Sequence, residues 1–161
     1  MRHAKAEPYA DTDAARRLTA RGREEATAAG RQLADLGARP DLAMVSSAVR
    51  TRETWDAVRD ACGSTAAEQV SDDLYAASPG VVLDALNGID DGVATCLYVG
   101  HNPTAAHLAA SLDDGEADPE VLRGLLAGFP TSAFALFGVT GPWSELAEGG
   151  ARLVHFHPGR G

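Results

Sequence analysis

TCLYVGHNPTAAHLAASL, residues 95–112, is the stretch on which the reading of the fold turns. Thr95–Val99 is a short apolar run of strand length, rich in residues that fit a pleated sheet. Gly100, His101, Asn102 and Pro103 interrupt it, and PTAAHLAASL then spaces its apolar residues as a helix does. The stretch is therefore a strand that runs straight into a helix. Upstream the same order recurs: Pro40, the apolar run Leu42 to Val45, then Ser46 and Ser47, then Val49, Trp55, Val58 and Cys62 at helical spacing as far as Gly63. Further out, Thr19 to Gly37 places Ala26, Ala29, Leu33 and Leu36 on one helical face, with Thr19 as N-cap and Gly37 as stop. Ser78 with Pro79 starts a helix carrying Val82, Leu83 and Leu86 that Gly88 ends, and Asp118 with Pro119 opens one carrying Val121, Leu122, Leu125 and Leu126. Ser132 to Val139 and Arg152 to His157 read as the last strands. Strand and helix alternating along the whole chain predict a three-layer α/β/α sandwich with a mostly parallel central sheet, folded as a single domain over residues 1–161.

Composition narrows the function. The chain has 161 residues, 45% of them hydrophobic and 23% charged, which suits one globular core rather than a disordered segment. A formal net charge of -9 and a pI near 4.9 repel polyanions and anionic bilayers, so neither nucleic acid nor a membrane is an expected partner. All the basic residues except Lys5 are Arg. Cys62 and Cys96 are too few and too far apart for a disulfide framework or a zinc site, and are read as buried thiols in a reducing compartment. No apolar run approaches the ~20 residues that span a bilayer, and no signal-peptide pattern is visible, so the expected location is cytoplasmic.

In open α/β sheets, anions collect where strand ends meet helix N-termini, because free N–H groups and the helix dipole favour negative charge there. Arg2 and His3, the segment Ser46 to Arg50, and His101 with Asn102 all stand at such junctions. Arginine offers a planar fork of donors matched to phosphate oxygens, and histidine serves as nucleophile or proton carrier near neutral pH. Two arginines and two histidines converging on one sheet edge would form a phosphate pocket.

Arg2-His3-Ala4 resembles the Arg-His-Gly signature of the histidine phosphatase superfamily, Ser46 to Thr54 (SSAVRTRET) its second arginine motif, and Gly100-His101-Asn102-Pro103 its second histidine motif. Asp13 and the stretch Arg16 to Gly22 (RRLTARG) are similar to the short SixA-type phosphohistidine phosphatases. The resemblance implies a phosphoglycerate mutase-like fold and a metal-independent phosphatase with no cofactor. In it His3 is the nucleophile that becomes transiently phosphorylated, Arg2 and Arg50 bind the phosphoryl oxygens, His101 donates to one of them, and Arg16 adds to the pocket. The implied substrate is phosphohistidine in a protein, such as a histidine phosphotransfer domain, or a small phosphorylated molecule. A broad phosphomonoesterase and an inactive phosphate-binding adaptor are the alternatives.

Three departures from the family pattern matter. Larger members carry a glutamate general acid, and no equivalent stands near Asp72, Asp73 and Tyr75; a phosphohistidine needs less help in leaving than an alkoxide does. Asp13 is the candidate proton carrier. Ala4 replaces the usual glycine. Met1 directly precedes Arg2 where the family has an apolar strand, so residues ahead of Met1 are expected, and without them the sheet is short of a member. His107 reads as a packing or surface residue. His155 and His157 share one strand face but lack a third ligand spaced for zinc. Trp55 and Trp143 read as core or loop anchors, and the acids from Asp113 to Glu120 as a solvated loop and helix start.

Overall fold

A continuously apolar strand needs cover on both faces, and β1 (Leu42–Ser46) has it: every residue is buried. Successive side chains point to opposite faces. Leu42 and Met44 accordingly join one hydrophobic cluster, with Val82, Leu108 and Phe156, while Ala43 and Val45 join the other, with Leu33, Trp55 and Val58. The computed structural model describes residues 1–159. In it β1 lies between β2 (Ala67–Ser71) and β3 (Cys96–Val99), parallel to both. β4 (Phe134–Val139) and β5 (Ala151–His157) form an antiparallel pair. α1 (Ala20–Asp35) and α2 (Val49–Cys62) pack on each other on one side of the sheet. α3 (Pro79–Asn87), α4 (Thr104–Leu112) and α5 (Pro119–Leu126) supply the other cluster. The result is the expected layered α/β architecture.

Local signals place the helix boundaries. Thr19 accepts a hydrogen bond from the Gly22 amide, Ser78 from Val81, and Asp118 from Glu120 and Val121, so each predicted N-cap caps. Gly63 closes α2 in the left-handed region, at φ 67°. Trp55 is wholly buried, and Trp143 donates its indole N–H to the Val93 carbonyl, so both act as anchors. The strand missed by periodicity is β2: four of its five residues, AEQVS, are exposed and its pattern is mostly polar. It is held by its backbone ladder to β1, which leaves no hydrophobic trace in the sequence.

The two sheets meet through the first three residues. The Met1 carbonyl accepts from the Gly100 amide and the His3 amide donates to the Gly100 carbonyl, both at or under 3.0 Å. On the other side the Arg2 amide donates to the Ala133 carbonyl at 2.9 Å, and the Ser132 amide to the His3 carbonyl. Arg2 and His3 are thus stitched between the end of β3 and the start of β4.

Gly22 explains part of the Arg16 to Gly22 stretch. The chain after His3 crosses the first turn of α1, and the Lys5 carbonyl accepts from the Thr19 amide at 3.0 Å. A Cβ on Gly22 would lie 2.0 Å from that carbonyl oxygen. Gly80, in α3, has only Ser78 Oγ nearby, at 3.8 Å. Gly22→Ala should therefore cost about 1–3 kcal/mol, a fall in Tm of roughly 3–10 °C. Gly80→Ala should hold or slightly raise Tm. Equal melting temperatures for the two variants would contradict the packing described.

Candidate phosphate-binding site

His3 is positioned by main chain and its ring by one bond. Nδ1 lies 2.7 Å from the Ala4 carbonyl oxygen, which can only accept, so Nδ1 carries the proton and Nε2 keeps its lone pair. Ala4 is buried, and its own amide donates to Thr54 Oγ1, which donates in turn to the Arg50 carbonyl. Thr54 thereby couples the His3 segment to the first turn of α2. Burial lowers the His3 pKa to about 4 against the opposing Ala4 bond, with His101, Arg50 and Arg2 adding to the decrease. The ring is therefore neutral at pH 7.

His101 follows β3, with its ring centroid 5.3 Å from that of His3. Nε2 lies 2.8 Å from Ser46 Oγ, and Nδ1 lies 3.4 Å from Arg50 Nη2. A guanidinium has only donors, so Nδ1 is the bare nitrogen and Nε2–H donates to Ser46. Burial, then Arg50, lowers this ring too to about 4, against the Asp13 charge.

Arg50 stands in the first turn of α2, whose N-cap Ala48 makes no side-chain capping bond. That turn offers amide dipoles to an anion. The guanidinium is almost fully buried: Nη1 donates to the Asp13 carbonyl and Nη2 to the Asp13 carboxylate. Arg2 donates through Nη1 to the Phe129 carbonyl, which also accepts from Asn102 Nδ2. Burial depresses the Arg2 pKa. In both arginines Nε is buried with no hydrogen-bond partner among the described residues. Two buried orphan N–H donors beside a neutral histidine call for an acceptor.

Asp13 and Arg16 lie at the rim. The Asp13 carboxylate accepts from Tyr75 Oη at 2.5 Å, Arg16 Nη1 at 2.6 Å and Arg50 Nη2 at 2.9 Å. The Tyr75 bond, then the Arg16 bond, hold its carboxyl far below the usual range. A carboxylate so strongly ionised is placed to fix Arg50 rather than to deliver a proton. Arg16 donates its Nε to the Glu7 carbonyl, so part of its fork is spent on the loop.

Two contributors had no role assigned from the sequence: Tyr75, and Ser46, which was named only as part of the Ser46 to Arg50 segment. Tyr75 sits edge-on to His101 at 5.4 Å, with Arg50 Cζ 5.7 Å above its ring, and Ser46 sets the His101 tautomer. Ser46 closes β1, a position that marks it as a candidate, whereas nothing around Tyr75 signals a site. Of the other histidines, His155 and His157 flank Phe134. Among the described residues no group of three or more His, Cys, Asp or Glu side chains is arranged to hold a metal ion, and no helix is long and apolar enough to cross a membrane.

Comparison with known proteins agrees with this geometry. Residues 1–76 match the histidine phosphatase superfamily (branch 1). An uncharacterised protein of Mycobacterium tuberculosis is 39% identical over 160 residues, covering 98% of each chain. A provisionally assigned phosphohistidine phosphatase SixA from Nakamurella multipartitia superposes with TM-score 0.85 at 32% identity, over 98% of this chain and 92% of its own. The protein histidine phosphatase SixA complexed with tungstate superposes with TM-score 0.78 at 26% identity, over 97% and 92%.

In the free protein the His3 and His101 ring signals should titrate near pH 4 in an NMR experiment rather than near 6.5, and inorganic phosphate should move both midpoints upward, since an anion favours the charged ring. Because the folded pKa values lie below the unfolded one, the unfolded chain binds protons first as pH falls. Stability should therefore be lost between about pH 6.5 and 4. Free-protein midpoints near 6.5 would contradict the burial of these rings.

Proposed function

We propose a specific chemistry on the premise that the chain belongs to the histidine phosphatase superfamily, among its SixA-type members: it is a phosphatase that removes phosphoryl groups from phosphohistidine through a phosphorylated His3. The observation that carries this reading is the pair of buried, partnerless Nε–H groups on Arg2 and Arg50 beside the neutral His3. A phosphoryl group drawn in beside His3, with small shifts of the two guanidiniums, would give these donors an acceptor. The tungstate complex of the related SixA, an oxyanion on this fold, supports the reading.

The His3 Nε2 lone pair forms a bond to phosphorus as the bond to the leaving group breaks. Charge on the equatorial oxygens of the loose transition state meets Arg2, Arg50 and the α2 N-terminus, and the bound anion favours protonation of His101 Nδ1, which then donates to one oxygen. Water then attacks phosphorus, the bond to His3 breaks, and inorganic phosphate leaves. Arg16 adds its remaining guanidinium donors at the rim. Asp13 and Tyr75 hold Arg50 in place. With Asp13 kept ionised, no strong acid waits for an alkoxide. A phosphohistidine ring takes up its own proton near neutral pH and leaves as neutral imidazole, so phosphohistidine is the substrate class this site serves best. A phosphorylated protein presenting such a side chain is the expected partner.

Phosphate release from a phosphohistidine protein and from p-nitrophenyl phosphate, without added metal, tests the assignment. His3→Ala should lose roughly 10³-fold or more on both substrates, and Arg50→Ala about 10²–10³-fold. Wild-type kcat/KM should favour phosphohistidine. Unchanged turnover in His3→Ala would remove the mechanism, and a preference for the phenyl ester would move the substrate to small phosphomonoesters.

A further inference from the structure

Among the described residues the most exposed large apolar side chain is Tyr9, at 87%. Pro8 and Ala10 beside it are exposed too, and no hydrogen bond, ring contact or cation among the described residues engages the Tyr9 ring or its hydroxyl. Three consecutive apolar residues left in water are unfavourable unless something covers them. The loop that carries them is nonetheless well held. Ala6 bridges Leu18, the Glu7 amide donates to the Arg17 carbonyl at 2.8 Å, and Arg16 Nε donates to the Glu7 carbonyl, which closes the base of residues 7–17. On its inner side Asp13 holds Arg50 through both its carbonyl and its carboxylate. The loop is thus pinned to the phosphate site and leaves Tyr9 in solvent four residues before Asp13. Charge changes sign over the same region. Residues 1–23 and 50–53, which include the loop, its flanks and the first turns of α1 and α2, hold eight Lys or Arg against four Asp or Glu, in a chain of net charge -9. Lys5, Arg17, Arg23 and Arg52 are exposed there, and among the described residues only Arg17 and Arg23 of these four have an acidic partner, the shared Glu53.

The geometry points to this face as the docking surface for a substrate protein: a folded, acidic phosphoprotein sets an apolar side chain against Tyr9 and acidic side chains against Lys5 and Arg52 while its phosphohistidine enters the pocket. This inference rests on the phosphohistidine phosphatase reading above and adds to it the surface that selects the partner. Reach argues for a protein occupant. A histidine side chain is short, so one that brings phosphorus to the half-buried His3 also brings its own backbone, and the surface around it, down onto the rim. A free phosphoramidate of small size fills the pocket and goes no further. Charge argues for an acidic protein, because the rest of this chain repels it and the region around the loop draws it in with the pocket facing it. Tyrosine suits the contact, since it buries a large ring at the loss of only two side-chain torsions.

Steady-state rates on two substrates test it: a phosphorylated histidine phosphotransfer domain of net negative charge, and free phosphohistidine. Tyr9→Ala should lower kcat/KM on the phosphoprotein about 10-fold, through KM, and keep turnover of free phosphohistidine within about twofold of wild type. Tyr9→Phe should retain most of the wild-type kcat/KM on both. Lys5→Glu combined with Arg52→Glu should raise KM for the phosphoprotein and flatten the increase in KM that added salt produces in wild type. The docking surface is overturned, with the phosphatase reading intact, if wild type turns over both substrates and Tyr9→Ala either matches it on the phosphoprotein or loses equally on both, as a merely structural residue would. Wild type that turns over neither substrate overturns the phosphohistidine reading and this inference with it.

Discussion

Arg2 and His3 are held by main chain on both sides, at Gly100 toward β3 and at Ala133 toward β4, and the site depends on that double attachment. It fixes the His3 backbone, so the side chain needs only the Nδ1 bond to the Ala4 carbonyl to select its tautomer. The same pairing puts His101, one residue past Gly100, beside it. Thr54 then ties Ala4 to the Arg50 carbonyl, bringing the α2 N-terminus into register. Held this way, the proposed nucleophile loses little freedom when substrate binds.

Electrostatics follow from the burial that this attachment enforces. Two rings lowered to about 4 keep the pocket from gathering further positive charge at neutral pH, so Arg2 and Arg50 remain its permanent cations. Asp13 balances Arg50 from the rim, itself gripped by Tyr75 and Arg16. Glu53 does comparable work outside the pocket: its carboxylate accepts from the Leu18 amide and from Arg17 and Arg23, tying the loop and α1 to α2. The polar residues of the Ser46 to Thr54 stretch are thus divided between the proposed anion binding, at Arg50, and holding the frame, at Thr51, Glu53 and Thr54.

Much of this was legible in the chain because the relevant signals are local. Apolar runs ending in Ser46 and Gly100 mark strand ends, and caps such as Thr19 and Ser78 mark helix starts. Arg50 and His101 could be placed from those junctions alone, whereas His3, with no apolar run ahead of it, was placed by resemblance to a known family, which also gave all three their roles. What was not legible acts over distance. Tyr75 meets Asp13 across 62 residues, and β2 shows no apolar alternation because only its backbone is engaged. The ionised state of Asp13 was equally hidden, since it depends on three donors from separate parts of the chain.

The central claim is that phosphorus is bonded to His3 Nε2 during turnover. Rapid acid-free quenching after mixing with a phosphohistidine protein, followed by peptide mass spectrometry, tests it directly. The account predicts one phosphoryl group on the peptide containing His3, labile to acid and stable to base, and none on that peptide when His3→Ala is used. A phosphoryl group on any other residue, or turnover with no phosphorylated enzyme at any time, would contradict it.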